Sequence, residues 1–144
     1  ASDAPTPARD AAPQAAAPAP TLASLRAHVG KYPRDVGLFE SDPLHDRLTA
    51  LMGARYFALL ANFGTQGPIS EQGSVLYAVG NKPHAGGDSQ AILLVDLAQD
   101  LIHVKLLEEL EMSDFRERDA EIVLPEEVEA TIANWNELAR EEGE

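Results

Sequence analysis

Three short apolar runs in the second half of the chain limit its folding options more than any other feature: Ser74 to Val79 (SVLYAV), Gln90 to Val95 (QAILLV) and Leu101 to Leu107 (LIHVKLL). Each is of strand length, rich in aliphatic and β-branched residues, and bounded by Gly, Pro, Asn or Asp. The link from Asp96 to Asp100 is too short to hold a crossover helix, so the second and third runs must pair as an antiparallel hairpin. In the third run Ile102, Val104 and Leu106 alternate with His103 and Lys105. That alternation predicts one buried face and one in water. A fourth strand is expected near Asp114 to Arg118.

Helical signals flank this meander. Thr21 is a candidate N-cap for a short helix through Leu22, Leu25 and Val29, stopped by Gly30. Lys31 to Phe39 reads as irregular, anchored on the core by Tyr32 and Phe39. Ser41 or Asp42 then caps a clearer helix, with Pro43 at its first position and Leu44, Leu48 and Leu51 at helical spacing. Gly53 ends it, and Arg55 to Phe63 reads as a second helix, although its aromatics also suit a strand. Pro125 opens a last helix with Glu126, Glu127 and Glu129 in its first turn, where the helix dipole favours anions. Its buried stripe is Val128, Ile132, Trp135 and Ala139. The expected fold class is α+β: an antiparallel meander sheet packed against N-terminal helices and a C-terminal helix.

Residues 1–20 stand apart, because fourteen of them are Ala or Pro and none is Val, Ile, Leu or aromatic. Such a stretch cannot offset its ordering entropy by burial. It reads as a disordered Ala/Pro-rich tether, leaving 21–144 as a single α+β domain. The first residues are Ala1-Ser2-Asp3 rather than Met. Small residues followed by a tether are what remains once a signal peptide is removed, so a periplasmic or secreted location is expected, with an interdomain linker as the other reading of the same stretch.

Composition removes whole classes of function. No Cys is present, which excludes thiol catalysis, cysteine metal sites and a disulfide framework. The net charge of −13, with eleven Lys and Arg in total, argues against nucleic acid and against an anionic membrane surface. No run approaches the roughly 18–20 apolar residues of a membrane span. Residues 108–144 hold fourteen of the twenty-four acids against Arg116, Arg118 and Arg140, so this region carries −11 of the net charge. Its plain meaning is solubility; its functional meaning is attraction to a strongly basic partner.

Side chains suited to chemistry are few. His45 and Asp46 are adjacent on a helix and point about 100° apart around its axis, so they are not expected to converge on a metal. His103 falls on the strand face expected to be wet. Asp96 and Asp100 flank a turn. Gly86-Gly87 has no following helix or Lys-Ser/Thr pair to make a phosphate loop, and Ser70, Ser74 and Ser89 have no nucleophile-elbow context. Neither zinc nor calcium spacing is present, and no cofactor is implied. The sequence supports no enzyme.

One loop stands out. Asn81-Lys82-Pro83-His84-Ala85-Gly86-Gly87-Asp88-Ser89-Gln90 joins two apolar strands and is longer than a hairpin needs. Pro83 stiffens the rise into His84 and the glycines permit a tight return. It is either an ordinary loop with an incidental histidine or a probe that inserts into another protein's cleft.

Lys82-Pro83-His84, a glycine, then Ser89-Gln90-Ala91-Ile92 entering a strand resemble the signature loop of the Ivy family, inhibitors of vertebrate-type lysozyme. Members carry Cys-Lys-Pro-His-Asp-Cys, followed by Gly-Ser-Gln and an apolar strand. The resemblance implies a periplasmic α+β protein, often dimeric, whose loop histidine enters the lysozyme cleft and contacts the catalytic carboxylates. His84 matches that histidine, and Lys82, Pro83, Gly86, Gly87, Asp88 and Ser89 complete the implied partner-binding set. Asn81 and Gly86 stand where the family has its cysteines, Ala85 replaces the Asp, and Asp88 is an insertion.

Two functions follow as expectations. The first is a periplasmic or secreted inhibitor, or immunity protein, of a basic lysozyme-like peptidoglycan hydrolase, acting through the histidine loop. The second is a non-inhibitory envelope protein that binds a partner through its acidic face or a sheet edge.

Overall fold

The computed structural model describes residues 21–83 and 89–142. The tether expected at 1–20 lies outside those residues. Six strands form one antiparallel sheet: β1 (Thr65–Gln66), β2 (Ser70–Gln72), β3 (Val75–Asn81), β4 (Gln90–Asp96), β5 (Leu101–Glu108) and β6 (Glu111–Arg116). The order is β1-β3-β4-β5-β6, with β2 also pairing to β3. The three apolar runs thus form the centre of the sheet, and the fold class is α+β as expected. The fourth strand starts three residues before its expected position. The tiny β1 and β2, which carry no apolar pattern, were not anticipated.

Both hairpin turns along β4–β6 use side chains or unusual backbone to close. Asp96 Oδ1 accepts from the Ala98 and Gln99 backbone N–H groups at 2.9 and 3.3 Å, and Asp100 takes φ 53°. Asp tolerates that left-handed backbone better than most residues. At the β5–β6 turn Glu109 and Leu110 both have positive φ (49° and 70°), the combination that a two-residue hairpin turn of matching twist requires.

Before the sheet come a 3-10 segment (Leu22–His28), a one-turn helix α1 (Pro33–Val36), a 3-10 turn (Leu38–Glu40), α2 (Leu44–Met52), a second 3-10 turn (Gly53–Arg55) and α3 (Tyr56–Ala61). These elements cover one face. Leu25, Phe39, Leu44, Leu48, Leu59 and Phe63 pack there against Leu76, Ala78, Leu93, Val95, Ile102, Val104 and Leu106. Thr21 takes the N-cap position without a side-chain cap bond, and at α2 that position falls on Pro43 rather than on Ser41 or Asp42, with Leu44 the first helical residue. Ser41 instead donates its hydroxyl to the Gly37 carbonyl at 2.8 Å. Tyr32 is 47% exposed and does not anchor the core, whereas Phe39 does.

The opposite face is also covered, which corrects the expectation of a wet side. Helix α4 (Glu126–Glu142) lies on it, with Val128 and Trp135 fully buried against Val75, Tyr77, Ile92, Leu94, Leu101 and Leu107. His103 is therefore 2% exposed rather than solvated. Arg47 ties α2 to the sheet. It donates from Nε and Nη2 to the two Glu117 oxygens at 2.9 and 2.6 Å and from Nη1 to Asp100 Oδ1 at 2.8 Å. No helix among the described residues is long and apolar enough to cross a membrane.

Candidate partner-binding loop

The β3–β4 ladder runs to its end, with Asn81 opposite Gln90, and one further bond closes the stem: the Lys82 N–H donates to the Ser89 carbonyl at 2.9 Å. The ten-residue loop is thus shorter than its sequence suggests, because four of its residues belong to the stem. Asn81, Lys82 and Pro83 are exposed. His84, Gly86, Gly87 and Asp88, the centre of the expected site, lie outside the described residues. Ser89 is 6% exposed, and its hydroxyl accepts from the Glu109 N–H at 3.2 Å. That bond joins the loop base to the β5–β6 turn.

Three residues missed in the sequence support the same stem. Asn62, 1% exposed, donates from Nδ2 to the carbonyls of Gln90 at 3.1 Å and Leu107 at 3.3 Å. Gly64 lies under the Pro83 ring, and Phe63 lies against Gly80. A polar Asn inside the otherwise apolar run Leu59-Leu60-Ala61-Asn62-Phe63 was the available signal, since a buried amide needs partners.

The other candidates resolve into structural roles or exposed groups. Burial would raise the Asp96 pKa, but hydrogen bonds from the Gln99 side chain and backbone, the Ala98 N–H and Ser74 hold it below the usual value. Ser70 donates its hydroxyl to the Pro68 carbonyl. His45 and Asp46 do converge, contrary to expectation. With Asp42 they bring one ligand atom each to within 4.8 Å of one another at the start of α2, where Asp42 and Asp46 are exposed. Free side-chain torsions at an exposed helix start bridge what the helical spacing separates.

His103 has its proton affinity lowered, first by burial and then by Arg116; the Asp114 charge and a hydrogen bond with the Ala120 backbone pull the other way. Its Nε2 has no partner among the described residues. The acids of the first turn of α4, Glu126, Glu127 and Glu129, are exposed.

No curated protein and no solved structure matches the chain significantly. The family model described as inhibitor of vertebrate lysozyme (Ivy) matches residues 43–138, which include all of β1 to β6, the loop between β3 and β4, and most of α4. The chain belongs to the Ivy family of lysozyme inhibitors.

Proposed function

We propose that this protein acts in the periplasm or outside the cell as an inhibitor, or immunity protein, of a lysozyme-like peptidoglycan hydrolase, and that it is not itself an enzyme. The observation that carries the reading is the family match across the β3–β4 loop. The hydrogen-bonded stem, which brings Lys82 and Ser89 together at one end of the sheet, supports it.

His84 is the residue assigned to the cleft, with Lys82, Pro83, Gly86, Gly87, Asp88 and Ser89 forming or shaping the contact. Glycosidases of this type place two carboxyl groups roughly 5–9.5 Å apart, one protonated and one ionised. An imidazole between them donates to the carboxylate, and the anionic site favours its charged form. The acidic body adds long-range attraction to a basic hydrolase and so speeds encounter. A non-inhibitory envelope module is the second reading; the outer edge of β6, which among the described residues pairs only with β5, supports it.

The test is titration of muramidase activity with wild type and His84→Ala. Wild type inhibits, and the variant is weaker by about 1–3 kcal/mol, the cost of leaving buried carboxyl groups without their partner. Equal inhibition by both removes His84 from the mechanism. Failure of the wild type against muramidases of every class tried hands the lead to the envelope reading.

A further inference from the structure

The turn that leaves α3 sits directly beneath the feet of the β3–β4 loop. A Cβ placed on Gly64 would lie 2.5 Å from Pro83 Cδ and 2.7 Å from its Cγ, so the proline ring rests on the bare glycine backbone. A Cβ on Gly80 would meet the Phe63 ring at 2.6 Å and the Asn62 carbonyl at 2.9 Å, so β3 closes on this turn as tightly as a glycine allows. Asn62 reaches past both to hold the first carbonyl of β4 and the Leu107 carbonyl of β5. The turn is itself held independently of the loop. The Gly64 carbonyl accepts from Arg34 Nη2 at 2.5 Å, and the Gly64 N–H donates to the Ala61 carbonyl at 3.2 Å.

We propose that Asn62, Phe63 and Gly64 form a cradle that positions the partner-binding loop, with the Gly64–Pro83 contact setting the direction in which the chain leaves the sheet. The inference rests on the inhibitor reading and names the positioning residues of that same site. Pro83 has a fixed φ, so seating its ring leaves ψ as the one soft backbone torsion of this residue before the chain goes on to His84. In a chain with no cysteine, this cradle supplies without a covalent bond the restraint that the family's cysteine pair implies. A loop already aimed gives up less freedom on binding, and affinity rises accordingly.

The contact is suited to positioning rather than to holding the fold together. Pro83 is exposed and belongs to neither core cluster. Gly64 is not among the glycines with positive φ, so its backbone accepts alanine without strain. Gly64→Ala therefore displaces the ring while leaving the core intact.

The experiment compares wild type, Gly64→Ala, Pro83→Ala and the double variant by three readouts: thermal midpoint, the amide NMR signals of Lys82 and His84, and inhibition of a muramidase. Gly64→Ala is expected to melt close to wild type, to shift both amide signals, and to inhibit about tenfold more weakly. The double variant is expected to inhibit no worse than Pro83→Ala alone, because the ring that the new methyl group would push is gone. Unchanged signals, unchanged inhibition, or losses that simply add in the double variant each overturn the cradle, since independent sites add. If the wild type inhibits no muramidase, the inhibitor reading falls and the amide signals alone decide. Their shift in Gly64→Ala and its absence on adding Gly64→Ala to Pro83→Ala support the cradle; their constancy overturns it.

Discussion

The two faces of the sheet are buried by different means. On one, five short helical segments contribute to, or pack against, a cluster that holds nineteen buried apolar residues among those described. On the other, α4 and the strand-to-helix segment before it close a cluster of nine. The first face spreads its burial over many small elements, so no single side chain dominates it. On the second, the layer over the sheet rests on Ile122, Val128 and Trp135, and the indole is the largest of the three. This face also encloses two polar atoms without partners among the described residues, Trp135 Nε1 and His103 Nε2. A layer built on few contacts with polar atoms inside is the one that a single substitution or a proton can open.

Trp135→Ala is the largest expected break. The side chain is fully buried, and its removal should cost about 3–5 kcal/mol, as large-to-small changes at buried aromatics do. Leu48→Ala on the other face should cost about 2–5 kcal/mol, but the helices beside it can collapse on the gap. Chemical denaturation followed by circular dichroism measures both. Equal slopes with a smaller loss for Trp135→Ala would show that α4 is not the keystone of its face.

The His103 imidazole sharpens the same contrast through pH. Burial first, then Arg116 and also Lys105, lower its pKa from the ordinary 6.5, while Asp114 and the Ala120 backbone oppose them. The folded state therefore resists the proton that the unfolded chain accepts. The stabilisation is complete above the unfolded pKa and is lost as pH falls below it, by up to about 1.4 kcal/mol per pH unit. Between pH 6.5 and the carboxylate range near 4.5 the thermal midpoint of wild type should fall. His103→Leu should flatten that slope, and an unchanged slope in the variant would assign the effect to another group.

The central strands and the stripe of α4 were legible because apolar periodicity is local information. The second covered face was legible in principle. SVLYAV and QAILLV are apolar at both alternating sets of positions, as strands buried on two sides are, and only the polar His103 and Lys105 of the third run suggested water. Strands β1 and β2 had no such signal, for they pair because the open edge of β3 offers backbone groups that need partners. The loop was legible as a motif, whereas its cradle was not. Gly64 and Pro83 stand nineteen positions apart, and their contact depends on where α3 meets the sheet.

Two tyrosine hydroxyls, one per face, give the finest comparison. Tyr56 donates to the Phe39 carbonyl at 2.8 Å in a fully buried bond, and Tyr77 donates to Glu127 Oε1 at 3.0 Å where α4 meets β3. Replacing either by Phe removes one hydroxyl and almost no volume, so the difference reports what happens to the acceptor left behind. The Phe39 carbonyl has no water to turn to, whereas the exposed Glu127 carboxylate rehydrates. Tyr56→Phe should therefore cost about 1–1.5 kcal/mol and Tyr77→Phe about 0.5 kcal/mol or less. Urea midpoints of the two variants, measured side by side at neutral pH, decide the order. A larger loss at Tyr77 would mean that its bond holds α4 in place, and the weaker face would then owe its docking to a hydrogen bond as well as to Trp135.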